Sequence, residues 1–279
     1  MPVKIITDSS ADLPPARAAE LGVRVVPLTI RFGSEEFTDG VQLTPEQFYA
    51  KMAEVPDLPE TAAPAPGAFE QAMREAAAEG GDGVVSINLS SALSATMASA
   101  ENAARSIGDE LDVRVVDSKA ITAALGMKVE AAAEAAAAGA SVDEIVALVE
   151  EMRGRTRIYG ALNTLDNLKK GGRIGGAQAL LGSMLNIKPL IDISTGSVAE
   201  AGKARTRGKA LTWLRERLFE QDEVERVAVC SGCADDTDQL VDLIAPRYSG
   251  DRVQVWTIGP VIGAHGGPAV LGLAWHQAR

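Results

Sequence analysis

Short β-branched runs alternate with helix-start and helix-stop signals through the first third of the chain, the pattern of strands joined by crossover helices. "VKIIT" at 3–7 reads as a buried strand and Pro14 to Leu21 as a helix closed by Gly22. "VRVVPLTI" at 23–30 reads as a second strand with an edge or bulge at Pro27. Thr44, Pro45 and Gln47 supply an N-cap, a first-turn proline and a capping-box partner, so a helix starts there. Pro56, Pro59, Pro64 and Pro66 fix their own backbone and bias the preceding residues toward extended geometry, which predicts a stiff loop over 56–69. Beyond it the pattern predicts helix over 70–79, strand over 83–91, helix over 92–107 and strand over 112–118.

The alanine-rich run 126–138 is strongly helical by propensity, and its small side chains allow close approach of a neighbour. Ser141 with Glu144 forms a second capping box, opening a helix that runs to about Met152. Near residue 155 the pattern changes. Strands are expected near 157–162, 187–193, 198–204, 225–230 and 252–258, helices over 164–170 and 177–185, and a last helix in "PAVLGLAW" with Gly267 as N-cap and Pro268 as first residue. The expected fold class is α/β in two domains, a parallel-sheet domain over 1–155 and a mixed-sheet domain over 156–279.

Several function classes are disfavoured by composition. A net charge of −11 repels nucleic-acid backbones and anionic membranes, and an aromatic content of 4% leaves few platforms for base stacking. No apolar stretch reaches the ~20 residues of a membrane span, and the first residues lack a signal-peptide pattern, so a cytoplasmic protein is expected. Cys230 and Cys233 are too few for a disulfide framework or a Cys-only zinc site, and the acidic residues after them argue against a low thiol pKa. No metal or cofactor motif is present.

Hydroxyl and carboxylate side chains gather at three expected strand ends, "TDSS" at 7–10, "NLSSALSAT" at 88–96 and "VDSK" at 116–119. Ligands of open α/β sheets bind at such ends. Ser91 falls where strand yields to helix, fit either to hold an anion or merely to cap. "LKKGGRIGGA" at 168–177 matches neither the phosphate-loop nor the dinucleotide spacing, and Lys169, Lys170 and Arg173 fit a solvated turn equally well. His265, one of two histidines, is flanked by Gly263, Gly266 and Gly267, which permit close approach of a ligand.

Taken together, "TDSSADL", "PETAAPAPGAF", "INLSSALSATMASA", "VDSKAITAALGMKV", "LKKGGRIGGAQALLGSMLNIKPLI", "KARTRGKAL" and "GPVIGAHGGPAVLGLAW" resemble the DegV family of bacterial fatty-acid-binding proteins, in family order and over nearly the whole chain. The resemblance implies an apolar tunnel for one long-chain fatty acid, its carboxylate held at the domain junction and presented to a separate ATP-dependent fatty-acid kinase. It places Thr61, Ser91 and His265, with Ser90 and Arg205, at the carboxylate, and Arg173, Lys169 and Lys170 at the head-group network or a docking face. The chain departs from the family pattern at Ala62, Ala63 and Ala65 after Thr61, at Ala95, and at Gly266 after His265. Two rival readings stand beside the carrier. One is a serine-dependent acyl hydrolase or transferase using Ser91 and His265, which lacks a nucleophile-elbow motif. The other is a regulatory protein for which the lipid is a signal.

Overall fold

A computed structural model describes residues 3–182 and 187–278. Four parallel strands form the first sheet: β1 (Val3–Asp8), β2 (Arg24–Val26), β6 (Gly83–Asn88) and β7 (Asp112–Asp117), in the order β2-β1-β6-β7. Beside it lies a small antiparallel sheet of β3 (Thr29–Phe32), β4 (Glu35–Thr38) and β5 (Glu60–Ala62), with β3 central. The remaining strands are β8 (Thr156–Ala161), β9 (Lys188–Asp192), β10 (Ala199–Ala204), β11 (Val224–Ser231), β12 (Val253–Thr257) and β13 (Leu271–Gln277). They form one mixed sheet in the order β10-β9-β8-β13-β11-β12, antiparallel except between β11 and β12. The architecture is therefore α/β, with a parallel sheet in the N-terminal half and a mixed sheet in the C-terminal half.

The alanine-rich segment is the helix Thr122–Ala137, and it packs against β1 and β6 on one side and β8, β11 and β13 on the other. A helix enclosed from both sides needs an apolar surface all round, which the sequence supplies in small side chains. At Gly126 the approach is closest. A β-carbon there would collide with the Trp256 ring of β12 and lie 2.8 Å from the Ala11 carbonyl oxygen. One continuous apolar core results, running from Val3 and Val85 of the parallel sheet through Ala123 and Met127 to Ile158 and Ala274 of the mixed sheet. The two charged side chains that this helix buries are both satisfied. Lys128 Nζ donates to the Ser118 carbonyl oxygen at 2.7 Å, and Glu130 accepts from Arg17 and Arg226. The Glu130 pairs tie the first helix, the central helix and β11 together.

Five local expectations are corrected. "PAVLGLAW" is not a helix: Leu271–Gln277 is β13, flanked by β8 and β11, and the helix lies before it at Pro260–Gly266. A strand buried on both faces reads as an unbroken apolar run, which periodicity cannot separate from a buried helix. "VRVVPLTI" divides into β2 and β3 in different sheets, because Pro27 cannot donate to a ladder. The proline-rich stretch contributes β5, which pairs with β3 and places Thr61 opposite Ile30, and Pro66 opens a helix to Ala78. Helix 92–107 begins only at Thr96, after a turn over 91–93. The described part of segment 177–185 is a 3-10 helix, Gly175–Gly182, and the rest lies outside the described residues.

Two glycine substitutions separate close packing from helix propensity. Gly126→Ala is expected to destabilise the fold by about 1–3 kcal/mol through overpacking, despite the better helix former. Gly154→Ala, in the helix Val142–Arg155 with open space around it, is expected to stabilise by about 0.5 kcal/mol. Urea unfolding of both variants checks the contrast, and equal effects would contradict it.

Candidate functional site

The "TDSS" motif shapes a wall rather than a charge site. Asp8 Oδ1 accepts the Ser10 amide and hydroxyl, while Asp8 Oδ2 accepts the Leu89 amide at 2.9 Å and the Asn88 side-chain amide. Ser9 Oγ accepts the Leu28 amide at 3.0 Å. Leu28 and Leu89 both line a cavity of about 830 Å³, its open mouth included, and this network sets their backbone positions. Burial raises the Asp8 carboxyl above its ordinary pKa and pushes Asp39, beside it, up to about 6.

The cavity runs between the two halves of the molecule. Its walls are aliphatic, including Leu93, Ile121, Ile158, Leu162, Ile191 and Ile193. Thr61, Ser94, Arg173 and His265 also line it and supply its main polar groups. Thr61 Oγ1 lies 2.9 Å from His265 Nε2. Thr61 is carried by β5, and His265 by the last turn of the helix Pro260–Gly266. Asn167 Nδ2 donates to the Ala264 carbonyl at 3.0 Å and fastens that turn. A β-carbon at Gly171 would collide with His265 Nδ1, so the glycine turn after Lys170 is what admits the imidazole. Arg173 Nε donates to the Leu93 carbonyl at 3.0 Å and Nη1 to the Gly171 carbonyl at 2.7 Å, joining the serine loop to that turn. Burial, and secondarily the Arg173 charge, lower the His265 pKa to about 4. The imidazole is thus neutral near pH 7, and His265 stands at the C-terminal end of its helix, where the dipole offers an anion no attraction. The expectation of a helix N-terminus behind it fails with the misread last helix.

The family profile described as "Uncharacterised protein, DegV family" matches residues 2–278. The chain belongs to the DegV family. A DegV domain-containing protein of Deinococcus radiodurans is 39% identical over 98% of both chains. A Thermus thermophilus DegV family protein, described by its fatty-acid binding, is 34% identical with full coverage of both chains and a TM-score of 0.92. A stearic-acid-binding protein of Eubacterium ventriosum is 25% identical, covers 99% of this chain and 98% of its own, and has a TM-score of 0.88.

In this DegV-family chain the expected site residues separate into three groups. Thr61, His265 and Arg173 meet at the cavity, joined by Ser94, which the sequence reading passed over. Its signal was its position three residues after Ser91 in the same loop. Ser90 and Ser91 do not line the cavity. Ser91 is exposed and donates to Asp117 Oδ2 at 2.6 Å, while buried Ser90 donates to the Gly196 carbonyl at 2.6 Å and straps the two halves together. Ser91 is also no helix cap, since the helix starts five residues later. Arg205 is exposed and off the cavity, as are Lys169 and Lys170 on the helix Asp166–Lys170. Cys230 lines the cavity with its thiol pushed up to about 12 by burial, and exposed Cys233 is also raised, both unsuited to thiolate chemistry. Among the described residues no group of three or more His, Cys, Asp or Glu side chains could hold a metal, and no helix is long and apolar enough to cross a membrane.

The two histidines give a direct electrostatic test. His276, buried in β13, is lowered to about 3 by burial and then by nearby Lys128, Arg155 and Arg226. Both imidazoles protonate more readily in the unfolded chain, near pH 6.5. Their contribution to stability is therefore full above about pH 6.5 and is lost as the pH falls toward the folded values. NMR titration of the ligand-free protein should give midpoints near 4 for His265 and near 3 for His276. A midpoint near 6.5 for His265 would contradict the site described here.

Proposed function

We propose that this chain is a cytoplasmic carrier that encloses one long-chain fatty acid in the cavity and presents its head group to a separate ATP-dependent kinase. The observation that carries the reading is an aliphatic cavity with Thr61 and His265 paired 2.9 Å apart on its lining. The Thermus and Eubacterium proteins, both described by their fatty-acid binding, support the same ligand class. The carboxylate is held by the Thr61 and Ser94 hydroxyls and the His265 imidazole, with Arg173 as the nearby positive charge. The kinase transfers the terminal phosphoryl group of ATP to a carboxylate oxygen, leaving ADP and an acyl phosphate in the carrier. Exposed Lys169 and Lys170, next to the turn that admits His265, form the docking rim together with Arg173; Arg205 contributes from the surface.

Magnitudes divide the labour. Burying a methylene contributes ~0.8 kcal/mol, so a sixteen-carbon tail offers on the order of 10 kcal/mol before association costs. Each hydrogen bond to a charged carboxylate nets only ~1.5–3 kcal/mol. The tail supplies retention, and the head group supplies orientation for transfer. No observation favours the hydrolase reading, since Ser91 is committed to Asp117 and lies off the cavity.

Thr61→Ala and His265→Ala are expected to lower kinase-dependent acyl phosphate formation at least tenfold more than they lower retention of hexadecanoic acid. A paired retention and turnover assay with a bacterial fatty-acid kinase measures both. Equal losses would reject the division, and no acyl phosphate from the wild-type carrier would reject presentation.

A further inference from the structure

Two glycines sit side by side in the floor of the cavity, and packing within the protein accounts for only one of them. Gly160 of β8 pairs with Gly272 of β13, and the row they share runs from Cys230 of β11 through both to Ile191 of β9. All four residues line the cavity. Glycine weakens a strand interior, and it is kept there for a turned backbone, a bulge or the close approach of another group. Neither glycine has a positive φ, and the pairing of β8 with β13 runs unbroken from Leu271 opposite Ala161 to His276 opposite Thr156. Gly272 is explained by its own sheet, since a β-carbon there would lie 2.7 Å from the Tyr159 carbonyl oxygen. Gly160 is not. The nearest atom to a β-carbon at Gly160 would be the side-chain Cγ1 of Ile191 at 3.3 Å, and no atom of the opposite wall would lie closer than 3.9 Å. The remaining cause is close approach of a ligand.

The glycine row lies across the path of a tail. At the head-group end, Val270 stands one residue before β13 and beside Gly266, the neighbour of His265: a β-carbon at Gly266 would lie 3.3 Å from Val270 Cγ1. At the far end, Ile158 lies two residues from Gly160 on the same face of β8, and the Ile193 amide donates to its carbonyl oxygen at 3.0 Å. Rows on one face of a sheet are about 7 Å apart, so Val270, the glycines and Ile158 form successive steps along one wall of the cavity. Ile121 and Thr122 contribute the wall opposite, and Cys230, next to Gly272 in the row, lies against Thr122 and Ala123. A chain that starts at His265 and fills the space beside Ile158 and Ile193 must therefore pass over the bare backbone of Gly160 and Gly272.

We propose that Gly160 sets the length of acid the cavity accepts: its missing side chain is the gap through which the tail reaches the space beside Ile158 and Ile193. This inference rests on the fatty-acid reading and names the residue that makes the ligand a long-chain one. Calorimetry on the delipidated full chain compares straight-chain acids from octanoic to octadecanoic. In the wild type, affinity is expected to rise about fourfold per methylene through sixteen carbons, the gain of burying each one. Gly160→Val should track the wild type for the shortest acids and stop rising before sixteen carbons, leaving hexadecanoic acid roughly tenfold weaker or worse. Gly160→Ala should show the same break, milder. The urea midpoint of ligand-free Gly160→Ala should not fall, because alanine holds a strand better than glycine. Variant series that run parallel to the wild type at every length, or a lowered midpoint in Gly160→Ala, overturn the inference while the fatty-acid reading stands. If the wild-type chain binds no acid, both fall.

Discussion

The fold depends on enclosing one helix between two sheets. The helix Thr122–Ala137 can lie against both because its surface is mostly alanine and because Gly126 leaves room for the Trp256 ring. That contact merges what would be two separate cores into one. It also determines where the core is left open. Ile121 and Thr122, at the start of the helix, face the cavity, while the body of the helix fills the space beyond. A bulkier central helix would separate the sheets, and the walls contributed by the two halves would no longer face each other.

Connections between elements distant in sequence hold the polar side of the cavity together. The Thr61 and His265 pair joins the small sheet to the helix before β13, and Arg173 ties the serine loop to the glycine turn. Ser90 adds a strap to the turn at Gly196. The buried imidazole is neutral without ligand, so a carboxylate arriving beside it would raise its pKa again. Under the proposed function, head-group binding and proton uptake at His265 are therefore linked.

Much of this was legible in the sequence for identifiable reasons. Thr44 with Gln47 and Ser141 with Glu144 form the capping boxes that their spacing predicts, because a cap depends only on residues within one turn. Family resemblance assigns Thr61 and His265 to one head group, but their 2.9 Å pairing is visible only in the fold, since nothing local links residues 204 apart. β13 was misread because a central strand carries apolar residues on both faces. Ser91 drew attention over Ser94 because the loop before Thr96 was taken for helix, and three residues of difference decide which hydroxyl reaches the cavity. Thr122 gave no signal at all: its left-handed backbone and its place on the cavity lining exist only in three dimensions.

The central claim is that the cavity between the two sheets is a lipid tunnel. Native mass spectrometry of the freshly purified chain, with extraction of whatever dissociates, tests it most directly when paired with Ile193→Trp, which fills the apolar wall. The account predicts one long-chain carboxylic acid per chain in the wild type and none in the folded variant. A wild-type chain that flies bare, or a lipid that stays bound when the tunnel is filled, would contradict it.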